Sequence, residues 1–306
     1  MRLLTRSDFD GLVCAVFLKE AGIIDTIKFV HPKDIQAHKI DVTPDDVLAN
    51  IPYHPNCGMW FDHHLSEEDR VKIKDLEFEG ISRKADSAAQ VIWDYYGGEE
   101  KFGAGFNELL TAVNKVDSAK LSKDEIINAK GWILLAFIMD PRTGLGYFKD
   151  FKISNYQLMM DMIEYCRTKK VEDILSIPDV IERVDLYFEQ QELFEDMLKR
   201  CCKIDQNVII TNLLEEETIY CGNRFLVYAM FAEQNIEVRV QWGKNRENIV
   251  FACGHSVLNT TSQTNVGKLM LKYGGGGHER VGTCQVSIDE WPQILGELVE
   301  QMKADG

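Results

Sequence analysis

Leu3-Leu4-Thr5-Arg6-Ser7-Asp8-Phe9-Asp10-Gly11 runs from a short apolar strand into a polar turn, and the apolar-periodic residues 12–21 that follow predict a helix ending at Gly22. The same alternation recurs downstream. Residues 26–31, 47–51 and 58–61 are short, apolar and bounded by Pro, Gly, Asn or Asp, as strands are. Strands alternating with helices predict a mostly parallel sheet with crossover connections. In such sheets ligand-binding residues gather at the C-terminal ends of the strands. The polar clusters fall there: Asp8 and Asp10 after the first strand, Asn50 near the end of the third, and Asp62-His63-His64 after the fourth.

From Asp86 the pattern turns helical. Asp86 or Ser87 is a suitable N-cap for a helix over 88–96, and helical spacing persists to about residue 200. After Lys203 strand candidates return at 208–211, 238–242, 249–253 and 283–288, with a helix over 266–273 leading into Gly274-Gly275-Gly276-Gly277-His278. The expected fold class is α/β: an N-terminal parallel-sheet domain with a helical second half over 1–185, a linker helix over 186–204, and a smaller C-terminal α/β domain over 205–306.

The bulk numbers agree with two globular domains. The chain has 306 residues, 45% hydrophobic and 27% charged. No apolar run reaches the ~18–20 residues that span a bilayer, and 132–139 reads as a buried helix. The first residues lead straight into the polar motif without a signal-like apolar region. Eight scattered cysteines form no CxxC pair and are read as reduced thiols, so a soluble, cytoplasmic protein is expected. A net charge of −15 disfavours long nucleic acid, whose affinity comes from neutralised phosphates, yet leaves room for a small phosphorylated substrate. His31, His38 and His54 lie in Pro-containing loop regions and read as surface residues. Asp140-Pro141-Arg142-Thr143-Gly144 reads as a turn from which Arg142 could reach substrate.

Each polar cluster also has an ordinary explanation. An acidic pair before a helix, such as Asp8 and Asp10, commonly serves capping and the helix dipole; facing one way, the same pair can hold a hard cation. Asp62-His63-His64 offers mixed nitrogen and oxygen ligation suited to manganese, iron or zinc. Asp117 in Val113-Asn114-Lys115-Val116-Asp117-Ser118 is either a turn residue or a further ligand. Consecutive glycines let backbone N–H groups approach an anion closely, and His278 can add a donor. A helix C-terminus alone would need one glycine, not four.

Together and in this order, the motifs resemble the DHH/DHHA1 family of phosphoesterases over nearly the whole chain. Asp8-Phe9-Asp10-Gly11 resembles the family's first motif, Asp62-His63-His64 its namesake, Asp117 its fourth, and residues 274–278 the signature of its second domain. The resemblance implies a manganese- or magnesium-dependent phosphohydrolase with one or two ions and its site in the cleft between domains. It also implies a small phosphorylated substrate such as polyphosphate, a short oligonucleotide or a nucleotide. No membrane partner is expected, and a homodimer is among the expected states. By resemblance Asp10, His63 and Asp117 hold one metal, Asp8 belongs to the other, and His64, oriented with Asp62, faces the phosphate. Gly274, Gly275, Gly276, Gly277 and His278 bind the substrate's far end, with Arg280 near enough in sequence to assist.

Two departures weaken the second metal position. Arg6 and Leu4 stand where the family carries a ligand ahead of the first aspartate, and a guanidinium stays protonated. Asn50 is the best candidate for the family's bridging aspartate, and it brings a carbonyl oxygen without charge. Either Arg6 supplies the missing positive charge to the phosphate, or it pairs with Asp8 and the chain is a degenerate sensor of a nucleotide or phosphate.

Overall fold

The computed structural model describes residues 1–64, 78–148 and 150–306 and separates into two compact units. The first comprises Met1–Lys120 and Ala129–Leu186, the second Leu121–Asn128 and Tyr187–Gly306.

In the first unit β1 (Arg2–Thr5), β2 (Thr26–Phe29), β3 (Asp46–Ala49) and β4 (Met59–Asp62) are the strands expected from sequence, and β5 (Glu79–Ser82), which no sequence pattern announces, joins them in one sheet. Their order is β2-β1-β3-β4-β5 and every neighbouring pair is parallel. The chain leaves β1 toward β2 and then crosses back to β3. Connections on either side of this switch point diverge, which opens a crevice at the C-terminal strand ends. Arg6, Asp8 and Asn50 leave β1 and β3 there, and the β4 end carries His63 and His64.

α1 (Phe9–Glu20) begins three residues earlier than its apolar periodicity suggests. Asp8 is its N-cap and accepts the Gly11 N–H at 3.0 Å, so Asp10 and Gly11 lie in the first turn of the helix and not in an extended turn. Gly11 is required by close approach: a Cβ there would lie 1.9 Å from the Arg6 carbonyl oxygen. Leu12, Val13, Cys14, Ala15, Val16, Phe17 and Leu18 have no exposed surface. α1 is thus apolar on every side, as a helix enclosed by others must be. It packs against α3 (Ala88–Tyr95), α4 (Asn107–Asp117) and α6 (Asn155–Thr168), and the apolar stretch at 132–139 forms the buried α5 (Gly131–Met139).

Of the loop histidines, His31 and His38 are exposed as expected and His54 is not. β2 ends at Phe29, and His31 instead caps the short α2 (Pro32–Gln36) by accepting the Lys33 N–H. His54 is 7% exposed, and its Nε2 lies 3.1 Å from Nδ1 of His38. Each ring satisfies the other, which is why an imidazole can be buried between two loops.

α7 (Pro178–Cys201) runs through the division of the chain at 186/187. In the second unit β6 (Cys202–Asp205), β7 (Val208–Asn212), β8 (Ile236–Trp242), β9 (Ile249–His255), β10 (Gly276–Gly277) and β11 (Val281–Val286) form a mixed sheet. Its order is β10-β11-β9-β8-β7-β6, with only β7–β8 parallel. α8 (Val266–Leu271) and α9 (Trp291–Asp305) cover one face, burying Val238, Val240 and Phe251 against Met270, Leu298 and Met302. Alternation sends Glu237 and Arg239 to the other face, where Glu237 accepts hydrogen bonds from Thr211 and Arg239.

The glycine run does not form the open anion cradle its composition suggests. The N–H groups of Gly274, Gly275 and His278 donate to the carbonyls of Leu271, Met270 and Val281. Gly274, at φ +73°, closes the end of α8, while Gly276 and Gly277 pair with Thr283 and Gly282. A Cβ at Gly275 would lie 2.1 Å from the Thr283 carbonyl oxygen, so close backbone packing accounts for a glycine there. No helix among the described residues is long and apolar enough to cross a membrane.

Candidate metal centre

Three elements bring Asp10, His63 and Asp117 together. Asp10 lies in the first turn of α1, His63 follows β4, and Asp117 ends α4. His63 Nε2 lies 3.6 Å from Asp10 Oδ2 and 3.2 Å from Asp117 Oδ2. One donor atom from each of the three falls within 4.8 Å of the others.

Their surroundings fix how each can act. Asp10 is 2% exposed, and its two oxygens accept the N–H groups of Ala88 and Ala89, each at 2.9 Å. Those are free donors of the first turn of α3, so a helix N-terminus orients the carboxylate. Ser87 caps that helix, accepting the Gln90 N–H and donating to Asn114 on α4. The Nδ1 of His63 faces the Ala85 carbonyl at 3.3 Å, which assigns the ring proton to Nδ1 and leaves a lone pair on Nε2. That Nε2 is buried and has no hydrogen-bond partner among the described residues.

Electrostatics point the same way. Burial, then the neighbouring carboxylates of Asp117 and Asp8, push Asp10 well above the usual carboxylate range, although the Ala88 and Ala89 N–H groups oppose the rise. Burial and the His64 ring hold His63 below the ordinary imidazole value. An unprotonated nitrogen facing two carboxylates is repulsive until a cation sits among them. The mixed nitrogen and oxygen set therefore fits a divalent manganese, iron or zinc ion, and magnesium less well.

Asp8 lies in a different environment. Its Oδ1 accepts from Gly11 N–H and from Asn50 Nδ2, each at 3.0 Å, and its Oδ2 pairs with Arg6 Nε at 3.0 Å. Burial raises its pKa while Arg6 pulls it down. Asn50, in the left-handed region at φ +56°, points its amide nitrogen at Asp8 and leaves its Oδ1 buried without a hydrogen bond among the described residues. Asp46, at the opposite end of β3, is held by Arg2 and stands away from these groups.

His64 Nδ1 meets Asp62 Oδ1 at 2.9 Å. Burial disfavours its charged form, but the Asp62 hydrogen bond and the carboxylates of Asp62, Asp117 and Asp10 outweigh it and raise the His64 pKa to about 9. Asp140 and Arg142 complete the surroundings: both line the recess that contains Asp8, Asp10 and Asp117. Turn composition points to that segment, but only the fold brings its Asp–Arg pair to the site. The backbone donors at Ala88 and Ala89 and the Ala85 acceptor have no side-chain signature at all. Gly274, Gly275, Gly276, Gly277, His278 and Arg280 belong to the second unit.

Comparison with known proteins now bears on this geometry. The chain is 47% identical to PggH, a pGpG-specific phosphodiesterase from Vibrio cholerae, over 100% of this chain and 99% of that one, with a TM-score of 0.85. An exopolyphosphatase-related protein from Bacteroides fragilis shares the fold at 11% identity and a TM-score of 0.52, covering 99% of this chain and 92% of its own. RecJ from Thermus thermophilus, in complex with Mn2+, shares it at 12% identity and a TM-score of 0.54, covering 99% of this chain and 52% of RecJ. No family model and no curated protein matches the chain. Full-length likeness at that identity, on the two-unit α/β architecture that carries the Asp8–Asp10 and Asp62-His63-His64 motifs, means that the chain belongs to the DHH/DHHA1 family of phosphoesterases.

Proposed function

We propose that the chain is a metal-dependent phosphodiesterase for a short linear dinucleotide, with pGpG the substrate of choice. The observation that carries this reading is the buried His63 Nε2, whose lone pair faces Asp10 and Asp117 and meets no hydrogen-bond donor among the described residues. The 47% identity to a pGpG-specific phosphodiesterase directs the choice of substrate.

Asp10, His63 and Asp117 would hold a divalent cation, manganese in preference to magnesium, which when bound would supply Lewis acidity toward the phosphoryl group. The chain's own residues do the rest. The Ala88 and Ala89 N–H groups hold Asp10 in one orientation, and Ala85 holds His63 in one tautomer. Asp62 holds His64 Nδ1 at 2.9 Å and favours its charged form, and we assign His64 the donation of a proton to the departing ester oxygen.

We further propose a single metal position. Asp8 spends both oxygens on Gly11, Asn50 and Arg6, and Asn50 brings no charge to bridge two cations. Arg6 then supplies positive charge on the Asp8 side. In the second unit, the glycines at 274–277, His278 and Arg280 are proposed substrate contacts, acting through side chains and close backbone approach.

The deciding experiment is product release with Mn2+ from pGpG, a second linear dinucleotide, pyrophosphate and polyphosphate, with His63→Ala beside the wild type. Turnover of pGpG lost in His63→Ala supports the reading. Faster cleavage of polyphosphate would move the assignment to a phosphoanhydride hydrolase. Tight pGpG binding without turnover would establish the sensor alternative, which the donor-saturated Asp8 favours.

A further inference from the structure

We infer that Arg142, clamped by Asp140, is a second phosphate-binding guanidinium of this site. The inference rests on the phosphodiesterase reading above and adds a residue outside the motifs matched in this sequence.

Asp140 follows α5 and is 7% exposed. Its Oδ1 accepts the Arg142 backbone N–H at 2.8 Å, which caps the turn Pro141–Thr143. The same carboxylate takes the side chain in a fork, Nε at 2.7 Å to Oδ1 and Nη2 at 2.8 Å to Oδ2. Two parallel charge-assisted bonds fix the plane of the guanidinium. Nη1 donates no hydrogen bond among the described residues. The Arg142 side chain is 49% exposed, so the group stands at the mouth of the recess and not in the core.

What the clamped group faces decides its role. The recess that Arg142 lines also holds Asp8, Asp10 and Asp117, and the Arg142 charge favours the ionised form of Asp8. Yet Arg142 forms no ion pair with any of those three: among the described residues its only carboxylate partner within salt-bridge distance is Asp140, two residues away. A link between neighbours in sequence ties no two elements together, so it adds little to the stability of the fold. It does immobilise a cation beside the metal-type cluster with one donor edge unused. A planar guanidinium with one edge clamped presents the other to a doubly accepting anion, and phosphate is the anion this site handles.

The test compares wild type, Arg142→Gln, Arg142→Lys and Asp140→Asn. Asn caps a turn as well as Asp does, so Asp140→Asn removes the charged clamp while keeping the cap. Binding of pGpG and of pyrophosphate is measured by calorimetry in EDTA, and turnover and Mn2+ affinity are measured separately. Arg142→Gln is expected to weaken both ligands about 10- to 100-fold without metal, the range for losing hydrogen bonds to a charged group. Its Mn2+ affinity should be unchanged or tighter, because a nearby positive charge is gone. Arg142→Lys should recover only part of the affinity, having charge but no fork. Asp140→Asn should weaken binding less than Arg142→Gln, and the two losses should be non-additive in the double variant.

Wild-type affinity for both ligands in Arg142→Gln would overturn the inference while leaving the phosphodiesterase reading intact. Pyrophosphate binding that depends on Arg142, with no pGpG binding or turnover in the wild type, would uphold the clamp and sink the substrate assignment. Loss of Mn2+ binding in Arg142→Gln would mean that the residue shapes the metal position, and would also overturn the inference.

Discussion

Asn50 occupies the position whose chemistry most shapes this site, and its present role is that of a donor. Its Nδ2 serves Asp8 Oδ1 at 3.0 Å, and its left-handed backbone suits Asn or Asp equally. Asn50→Asp therefore changes charge with little backbone strain. Without metal, Asp8 loses a hydrogen bond and gains a like charge, and we expect a loss of roughly 1–3 kcal/mol. Mn2+ should return more stability to Asn50→Asp than to the wild type, because the added carboxylate creates an acceptor pair for a second cation. Thermal melts with EDTA and with Mn2+, together with metal counting, check this. Equal Mn2+-induced shifts in the two proteins would show that Asn50 is not what limits the site to one ion.

Among elements, α3 does more than fill the first unit, because its N-terminus orients Asp10. Ser87→Ala removes the cap and the link to Asn114, and should cost about 1–2 kcal/mol. Mn2+ affinity should fall with it, since frayed Ala88 and Ala89 N–H groups no longer fix the carboxylate; unchanged affinity would detach the helix from the site.

The loop pair His38–His54 yields a pH prediction of its own. His54 Nδ1 accepts the Asn56 N–H at 3.2 Å, which puts its proton on Nε2, facing His38. Burial and the neighbouring ring hold His54 below its ordinary value of 6.5. The sign follows from linkage: the unfolded state takes up the proton first, so the contribution is intact above pH 6.5 and is lost as pH falls through the folded-state value. Urea unfolding at pH 7.5 and 5.5 should show a smaller loss in His54→Gln than in the wild type, and equal losses would reject the pair as the cause.

These elements also mark what a sequence can reveal. The parallel sheet and the C-terminal placement of Asp8, Asn50 and His63 are legible because strand, turn and helix periodicities repeat over short distances. The start of α1 at Phe9 is not, because a buried helix has no polar face to mark its first turn. The glycines at 274–277 suggest an anion loop by composition, while their N–H groups go to Leu271, Met270 and Val281 through pairings between segments distant in sequence. Asp140 and Arg142 read as a turn, and only the folding of α5 brings them beside Asp8 and Asp117.

At the scale of the whole molecule, charge governs which substrates approach. The net charge is −15, and many cations are already paired: Arg167 with Glu20 and Glu164, Lys120 with Asp86, Arg83 with Asp94, Arg200 with Glu216, and Lys303 with Glu300 and Asp205. A long strand would therefore meet net like charge that opposes its approach. A dinucleotide avoids that repulsion, needing only the metal position, Arg6, Arg142 and the local donors. We expect kcat/KM to fall at least about tenfold from pGpG to a 5′-phosphorylated ten-nucleotide RNA at ~0.15 M salt, and the salt dependence of binding to stay shallow at every length. Rates and affinities measured at three salt concentrations decide the matter. A log–log salt slope that steepens with length would mean that successive phosphates find cations along the surface; the chain would then be an exonuclease with a basic track, and the dinucleotide assignment would fall.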